Sequence, residues 1–410
     1  MSDEATEHWR AGGPSPARPG GALRALRESN LRRILSVIRD DGGVSQAEVA
    51  RRTQLSRATV SNLVGELRRR GLVRSTERPR NGRACLEAVI GRSTNAVIGV
   101  DFGHRHVRVG IADLNGRVLG DEERVLPPDL GATESCSEAW AMASRLMARA
   151  GVRPDDLLQV GVGLPAPIDV IAGRVGWHGI LHRWAELDPH ATIHDVFGRP
   201  VVLDNDANLG ALGELRQGAG RGYTNFIYIN VATGVGAGLV IDGRVYHGTT
   251  GTAGEIGHMT VDPSGRICRC GNRGCVDAIV GAPGFLELLR TVYGEDLDVV
   301  RVIELARRRD GRCIRALAEA GHALGAVVSD LCNLLSPERV ILAGVIFQAG
   351  EVILGPMRET VAQRAVPAAA RAAEIVPSGL QERAEMIGAI TLALEAVRAG
   401  TADDPLLRVG

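Results

Sequence analysis

AVIGVDFGHRHVRVGIADLNGRVLG, residues 96–120, and NFIYINVATGVGAGLVIDGRVYHG, residues 225–248, decide the fold between them. Each opens on an apolar run, breaks at a glycine-containing turn, resumes as a second apolar run and turns tightly again, at Asn115-Gly116 and at Asp242-Gly243. That is the pattern of strand, turn, strand, turn, strand. Two copies predict duplicated lobes facing each other across a ligand-binding cleft. Helical spacing fills the intervals at residues 138–150, 209–217, 285–292, 314–335 and 382–399, so the fold class is α/β.

At 410 residues the chain is too long for one ordinary core,. No apolar run is long enough to span a bilayer, and the polar, Pro/Gly-rich opening reads as a disordered tail over residues 1–21. The expected location is cytoplasmic, with no membrane partner. The net charge of zero hides an asymmetry: residues 1–92 hold 18 Arg against 10 Asp and Glu, a balance of +8. A basic front end on an acidic body suggests a module that binds a polyanion.

That front end, residues 22–92, reads as an α+β winged helix-turn-helix. Leu31, Ile34, Leu35 and Ile38 recur at helical spacing before Gly42-Gly43. Ser45 and Glu48 then form a capping box with Val44 and Val49 as its staple. Ser56, with Leu55 and Val60, repeats the device,. Val60, Leu63, Val64 and Leu67 make the inward stripe of the second helix, which Gly71 ends. Ser56, Arg57, Ala58, Ser61 and Asn62 are left for the major groove of double-stranded operator DNA. The following hairpin carries Arg80 and Arg83 near its tip, a wing suited to phosphates. A small helical bundle with a solvated Arg-rich face is the competing reading.

In the body, HMTVDPSGRICRCGNRGC, residues 258–275, supplies His258, Cys268, Cys270 and Cys275. One imidazole and three thiolates form a complete tetrahedral set for Zn2+, and with no open position the ion would be structural. VVLDNDANLGALGE, residues 201–214, places Asp204, Asn205 and Asp206 between a buried strand and a helix, although Asp and Asn also suit helix N-caps on propensity alone,. HGTTGTAGEIGH, residues 247–258, brings Glu255 within one turn of His258. Ala232 to Gly238 is a Gly-rich turn whose amides suit phosphate.

These motifs together resemble the ROK family (repressors, open reading frames, kinases), most closely its regulators with an N-terminal winged helix-turn-helix, over about residues 25–397. The resemblance implies a two-lobed actin-like ATPase (ribonuclease H-like) fold over residues 93–400. Its lobes would be about 93–203 plus the C-terminal helix, and 204–381, with residues 401–410 a tail. It also implies roles. Asn205, Asp206, Glu255, His258 and Asp277 would hold a sugar, and Asp206 would be the general base in a kinase. Asp101, Gly103, Thr233, Gly234, Gly236 and Gly344 would face the phosphates of MgATP.

The departures from the family pattern fall mostly on the ATP side. His104, Arg105 and His106 replace small residues of the first hairpin, and Ala343-Gly344 stands for Gly-Gly. Asp277 stands for Glu, Pro165-Ala166-Pro167 for Pro-Gly-Pro, and Ile180 for an Asn before Trp184. The expected function is a transcriptional regulator responsive to a sugar or sugar phosphate, acting as a homodimer or homotetramer. The alternative is a bifunctional hexose or amino-sugar kinase that also binds DNA, and only then would MgATP be needed.

Overall fold

The computed structural model describes residues 27, 29–31, 33–38, 44–69, 73–80, 83–90, 95–127, 130–169, 174–175, 184 and 187–399. The expected tails, Gly42-Gly43, Gly71, the wing tip Asn81-Gly82, Ile180 and the side chains of Arg80 and Arg83 lie outside the described part. The chain divides into two compact units, one ending at residue 93 and the other beginning at 94.

The front unit runs α1 (helical residues 29–31 and 33–38), β1 (Val44–Ser45), α2 (Gln46–Thr53), α3 (Arg57–Arg69), β2 (Val73–Arg80) and β3 (Arg83–Ile90). Its antiparallel sheet has the order β1-β3-β2. Both caps form as the residues dictate: Ser45 Oγ accepts from Glu48 N at 3.3 Å and Ser56 Oγ from Thr59 N at 3.0 Å. Gln54 adopts φ 56° between the two helices, which keeps their connection short. Leu31, Ile34, Val49, Val60, Leu63, Val64 and Leu67 share one core.

The body contains two five-stranded sheets. The first is built from β4 (Ala96–Phe102), β5 (His106–Asp113), β6 (Val118–Val125), β7 (Leu157–Leu164) and β10 (Val201–Asn205), in the order β10-β7-β4-β5-β6. A short ribbon, β8 (Ile168–Asp169) with β9 (Arg174–Val175), lies between β7 and β10 in sequence. The second sheet holds β11 (Phe226–Val231), β12 (Val235–Ile241), β13 (Arg244–Val245), β14 (Arg339–Ala343) and β15 (Glu374–Pro377). In each sheet the first three strands are antiparallel and the last two run parallel to the first. The duplication read from the two hairpins therefore extends to whole sheets of one topology.

The helices are α4 (Ala132–Ala150), α5 (Pro189–Phe197), α6 (Asp206–Gln217), α7 (Asp277–Val280), α8 (Ala282–Tyr293), α9 (Val299–Arg307), α10 (Gly311–Leu335), α11 (Glu351–Arg364), α12 (Pro367–Ala372) and α13 (Ala384–Ala399). Of these, α5, α7, α9, α11 and α12 were not expected from periodicity. α5 starts on an Asp188 cap with Pro189 in its first turn. α11 contains Pro356 and buries only Ile353, Met357 and Val361. α4 begins at Ala132, six residues before its expected start, because Ala132, Ser135 and Cys136 are also buried. The first sheet runs on to Asn205, two residues past the expected lobe boundary.

Two helices join the sheets. α13 packs on β4, β5, β7 and β10 of the first and against α6, while α6 packs on β11 and β12 of the second. These contacts are as close as backbones allow. A Cβ at Gly388 would lie 1.8 Å from Leu209 O, and one at Gly161 2.0 Å from Ala389 O. Glu214, fully buried near the end of α6, accepts from Ser378 Oγ, Ala219 N and Leu380 N, fixing the segment that leads into α13.

Glycine-to-alanine changes separate packing from propensity. In a helix the change alone stabilises by about 0.5–1 kcal/mol. Gly355, with only Glu351 Oε2 near its Cβ position at 3.8 Å, should show that gain. Gly388→Ala should instead destabilise by about 1–3 kcal/mol or more through overpacking. Urea denaturation of both variants measures the difference.

Candidate functional site

A cleft of about 360 Å³ opens between the two sheets of the body. Its walls bring together Asp101, Gly103 and His106 from the first hairpin with Asn205 and Asp206 from the β10–α6 turn. Thr233, Gly234 and Gly236 of the second hairpin, Glu255, His258 and Gly344 also line it. Pro165, Ala166 and Pro167 complete the same wall. Residues as far apart as 101 and 344 thus meet where the sequence places a ligand.

Asn205 and Asp206 sit where a strand becomes a helix. Asn205 is the N-cap of α6, accepting from Asn208 N at 3.2 Å, and its Nδ2 donates to Ala166 O at 3.1 Å. Burial, with the charges of Asp101 and Glu385, raises the Asp206 carboxyl well above its ordinary value. Burial likewise raises Glu255.

His258, Cys268, Cys270 and Cys275 put one donor atom each within 4.8 Å of one another. Bond lengths of about 2.3 Å to sulfur and 2.0 Å to nitrogen set tetrahedral edges of about 3.8 Å between sulfurs and 3.5 Å between sulfur and nitrogen. Cys270 Sγ to Cys275 Sγ is 3.7 Å and Cys268 Sγ to His258 Nδ1 is 3.6 Å, so the spacing fits zinc. Burial and the neighbouring thiols push Cys275 up to about 12, a cost that a bound cation removes,. Burial also lowers His258, favouring the neutral ring that metal ligation needs,. With Nδ1 turned to the sulfurs, His258 Nε2 lies 3.8 Å from Glu255 Oε2.

Asp277 departs from expectation. It is buried and is not among the residues that line the cleft. Its Oδ1 accepts from Val235 N at 3.0 Å, and its Oδ2 lies 3.3 Å from Arg269 Nε. The shorter side chain braces the Gly-rich turn, and Arg269, between two metal-site cysteines, lines the cleft in its place.

The rewritten hairpin and a residue missed in the sequence define the far end. His106 Nε2 is 3.3 Å from Asp101 Oδ2, and the ring covers Gly103 so closely that a Cβ there would lie 2.2 Å from Cε1. Burial disfavours the imidazolium, but Asp101, Glu123 and Glu385 outweigh it and hold His106 at about 9. Glu385, in the first turn of α13, accepts from Tyr228 Oη at 2.6 Å and Asn230 Nδ2 at 3.0 Å. Burial and the Asp101 charge raise it to about 7. Nothing local marks Glu385, since its stretch reads only as a helix start.

On the front unit, Ser56, Arg57, Ala58, Ser61 and Asn62 are all exposed, opposite the buried stripe of α3. Arg80 and Arg83 are register partners at the end of the β2–β3 hairpin. Among the described residues no helix is long and apolar enough to cross a membrane.

Residues 97–396 match the ROK family and residues 32–84 the MarR family. A xylose repressor of Caldicellulosiruptor bescii is 28% identical over 384 residues, 90% of this chain and 96% of its own. A glucokinase of Halalkalibacterium halodurans is 30% identical over 309 residues, 71% of this chain and 92% of its own. A solved ROK family transcriptional regulator, a homolog of the E. coli MLC protein, superposes with a TM-score of 0.76 at 22% identity, covering 92% of this chain and 97% of its own.

Folded-state pKa values above the ordinary ones make the body more stable at low pH. Glu385 binds its proton more tightly when folded, so stability present below about 4.5 is lost as pH rises toward about 7,. His106 continues that loss from 6.5 to about 9. Thermal melts from pH 5 to 9 should show the decline, and Glu385→Gln should flatten its lower part.

Proposed function

The chain belongs to the ROK family, and on that premise we propose that it is a transcriptional regulator that binds operator DNA through its winged unit and responds to a sugar held in the body's cleft, without phosphorylating it. The observation that carries the last clause is the far end of the cleft. His106 fills the space over Gly103, and Asp101, Asp206 and Glu385 converge there as buried or cleft-lining carboxylates. A nucleoside triphosphate would meet a steric block where the His106 ring covers Gly103.

The near end suits a neutral polyol. Asp206, Glu255 and His258 line one space and offer acceptors and donors to hydroxyls, while Asn205 fixes the turn that presents Asp206. His258, Cys268, Cys270 and Cys275 would hold one structural zinc, which charges the site locally and locks the loop that bears Glu255. Xylose and glucose are the natural first candidates, given the xylose repressor and the glucokinase among the relatives, with N-acetylglucosamine as an amino sugar beside them. A sugar that favours one arrangement of the body shifts DNA affinity by linkage, in proportion to its differential affinity for the two arrangements. Reading two half-sites would take a homodimer or homotetramer, and the work is that of a cytoplasmic protein.

The kinase reading keeps one supporting observation. Asp206 stands in the cleft at the first residue of α6, where a carboxylate can face a bound hydroxyl,. One experiment separates the two. Purified protein is given MgATP and each sugar, and ADP release is followed beside sugar-dependent operator binding. Sugar-dependent change in operator affinity with no ADP release is expected. Sugar-dependent ADP release that Asp206→Asn abolishes would establish the kinase.

Two further outcomes follow. Arg57→Ala should weaken operator binding and lower its salt dependence by about one phosphate contact, measured by fluorescence anisotropy at several salt concentrations. Metal analysis should return about one zinc per chain, and chelation should weaken sugar binding without abolishing DNA binding. Full sugar affinity in metal-free protein would remove the bracing role.

A further inference from the structure

His247 opens the loop that leads from β13 to Glu255 and His258. It is not among the residues lining the cleft, yet its Nε2 donates to Asp204 Oδ2 at 2.8 Å. Asp204 is the residue before Asn205 in β10 and is 6% exposed. Its other oxygen accepts from Asn205 N at 2.7 Å and from Asn208 Nδ2 at 3.0 Å. The carboxylate of Asp204 therefore fixes the backbone and cap of the turn that presents Asn205 and Asp206.

The loop side is equally constrained. The carbonyl of His247 accepts from Ala253 N at 3.2 Å, and the carbonyl of Gly254 accepts from Ala237 N at 3.0 Å. The loop is thus closed on itself and pinned to β12 just before Glu255. β10 belongs to the first sheet and β12 to the second. The imidazole–carboxylate pair ties the two halves of the body beneath the cleft.

We propose that His247 is a positioning residue for the ligand: acting through Asp204, it holds Asn205 and Asp206 at a fixed spacing from Glu255 and His258. This rests on reading the cleft as a sugar site. Hydroxyl recognition tolerates displacements of only about 0.5 Å, so groups contributed by two sheets need a direct tie to act as one site. A histidine suits the task because it offers a directed N–H to a carboxylate that has left water. The pair also shifts the ring's titration: the hydrogen bond to Asp204 raises His247 despite its partial burial, favouring the charged donor.

The test compares His247→Gln, which keeps an N–H donor, with His247→Met, which keeps bulk and removes it. Binding of D-xylose, D-glucose and N-acetyl-D-glucosamine, and of their phosphates, to the full chain is measured by calorimetry, with zinc content and melting temperature as controls. The Met variant should lose at least about tenfold in affinity for whichever sugar the wild type binds best, and the Gln variant should stay within about threefold. Both should keep one zinc and sugar-free DNA binding.

Equal affinity of the Met variant and the wild type would overturn the proposal, as would equal losses in the Gln and Met variants. If the Met variant does not fold, the Gln variant decides alone, since loss of sugar binding at a normal melting temperature contradicts the tie. Wild-type protein that binds none of the three sugars, nor their phosphates, overturns the sugar-site reading and this inference together. A wild type that binds while the Met variant binds equally well overturns this inference alone.

Discussion

The body depends on one close contact, the passage of α13 between the first sheet and α6. Gly388 lies against Leu209 O, Gly161 against Ala389 O and Gly99 against Met386 O, each closer than any Cβ permits. Helices this near exchange dispersion contacts over their whole length and leave no room for sliding. Because α6 begins at Asp206 and α13 carries Glu385 in its first turn, the packing that joins the lobes also sets two carboxylates of the cleft. Stability and ligand recognition are thereby linked in one element.

The duplicated hairpins show how the two halves have parted in chemistry. In the second sheet the β11–β12 turn remains glycine-rich. Its amide at Val235 is held by Asp277, and Ala232 N donates to Gly234 O. In the first sheet the β4–β5 turn closes through Gly103 N to His106 O, with the imidazole folded back on Asp101. The second turn is braced through its amides, whereas the first is capped by an imidazole paired with its carboxylate. The two hairpins share a topology but offer opposite things to a ligand.

Local signals carried much of this structure. Caps at Ser45 and Ser56, the thiol cluster at Cys268 to Cys275 and the two hairpins are short-range patterns, and all form as the residues imply. What the sequence left unread depends on long-range meetings. Glu385 reaches Tyr228 and Asn230 across more than 150 residues, and His247 reaches Asp204 across 43. Asp277 was assigned to the wrong neighbour for a related reason. A side chain one methylene shorter finds Val235 N and Arg269 before it reaches the cleft, and spacing along the chain does not reveal that competition. α11 escaped notice because its proline and narrow apolar stripe weaken the period on which helix recognition depends,.

On the proposed reading, the geometry of the cleft suits hydroxyls better than phosphates. Hydroxyls are neutral and need geometry, which the pinned turn at Asn205 and the loop at Glu255 supply through hydrogen bonds already made in the protein. Polyphosphate needs uncovered backbone, and at Gly103 the backbone lies under the His106 ring. Burial first, and then the charges of Asp101 and Glu385, raise the Asp206 carboxyl. A raised pKa is by itself no sign of catalysis, because burial produces it without any reaction.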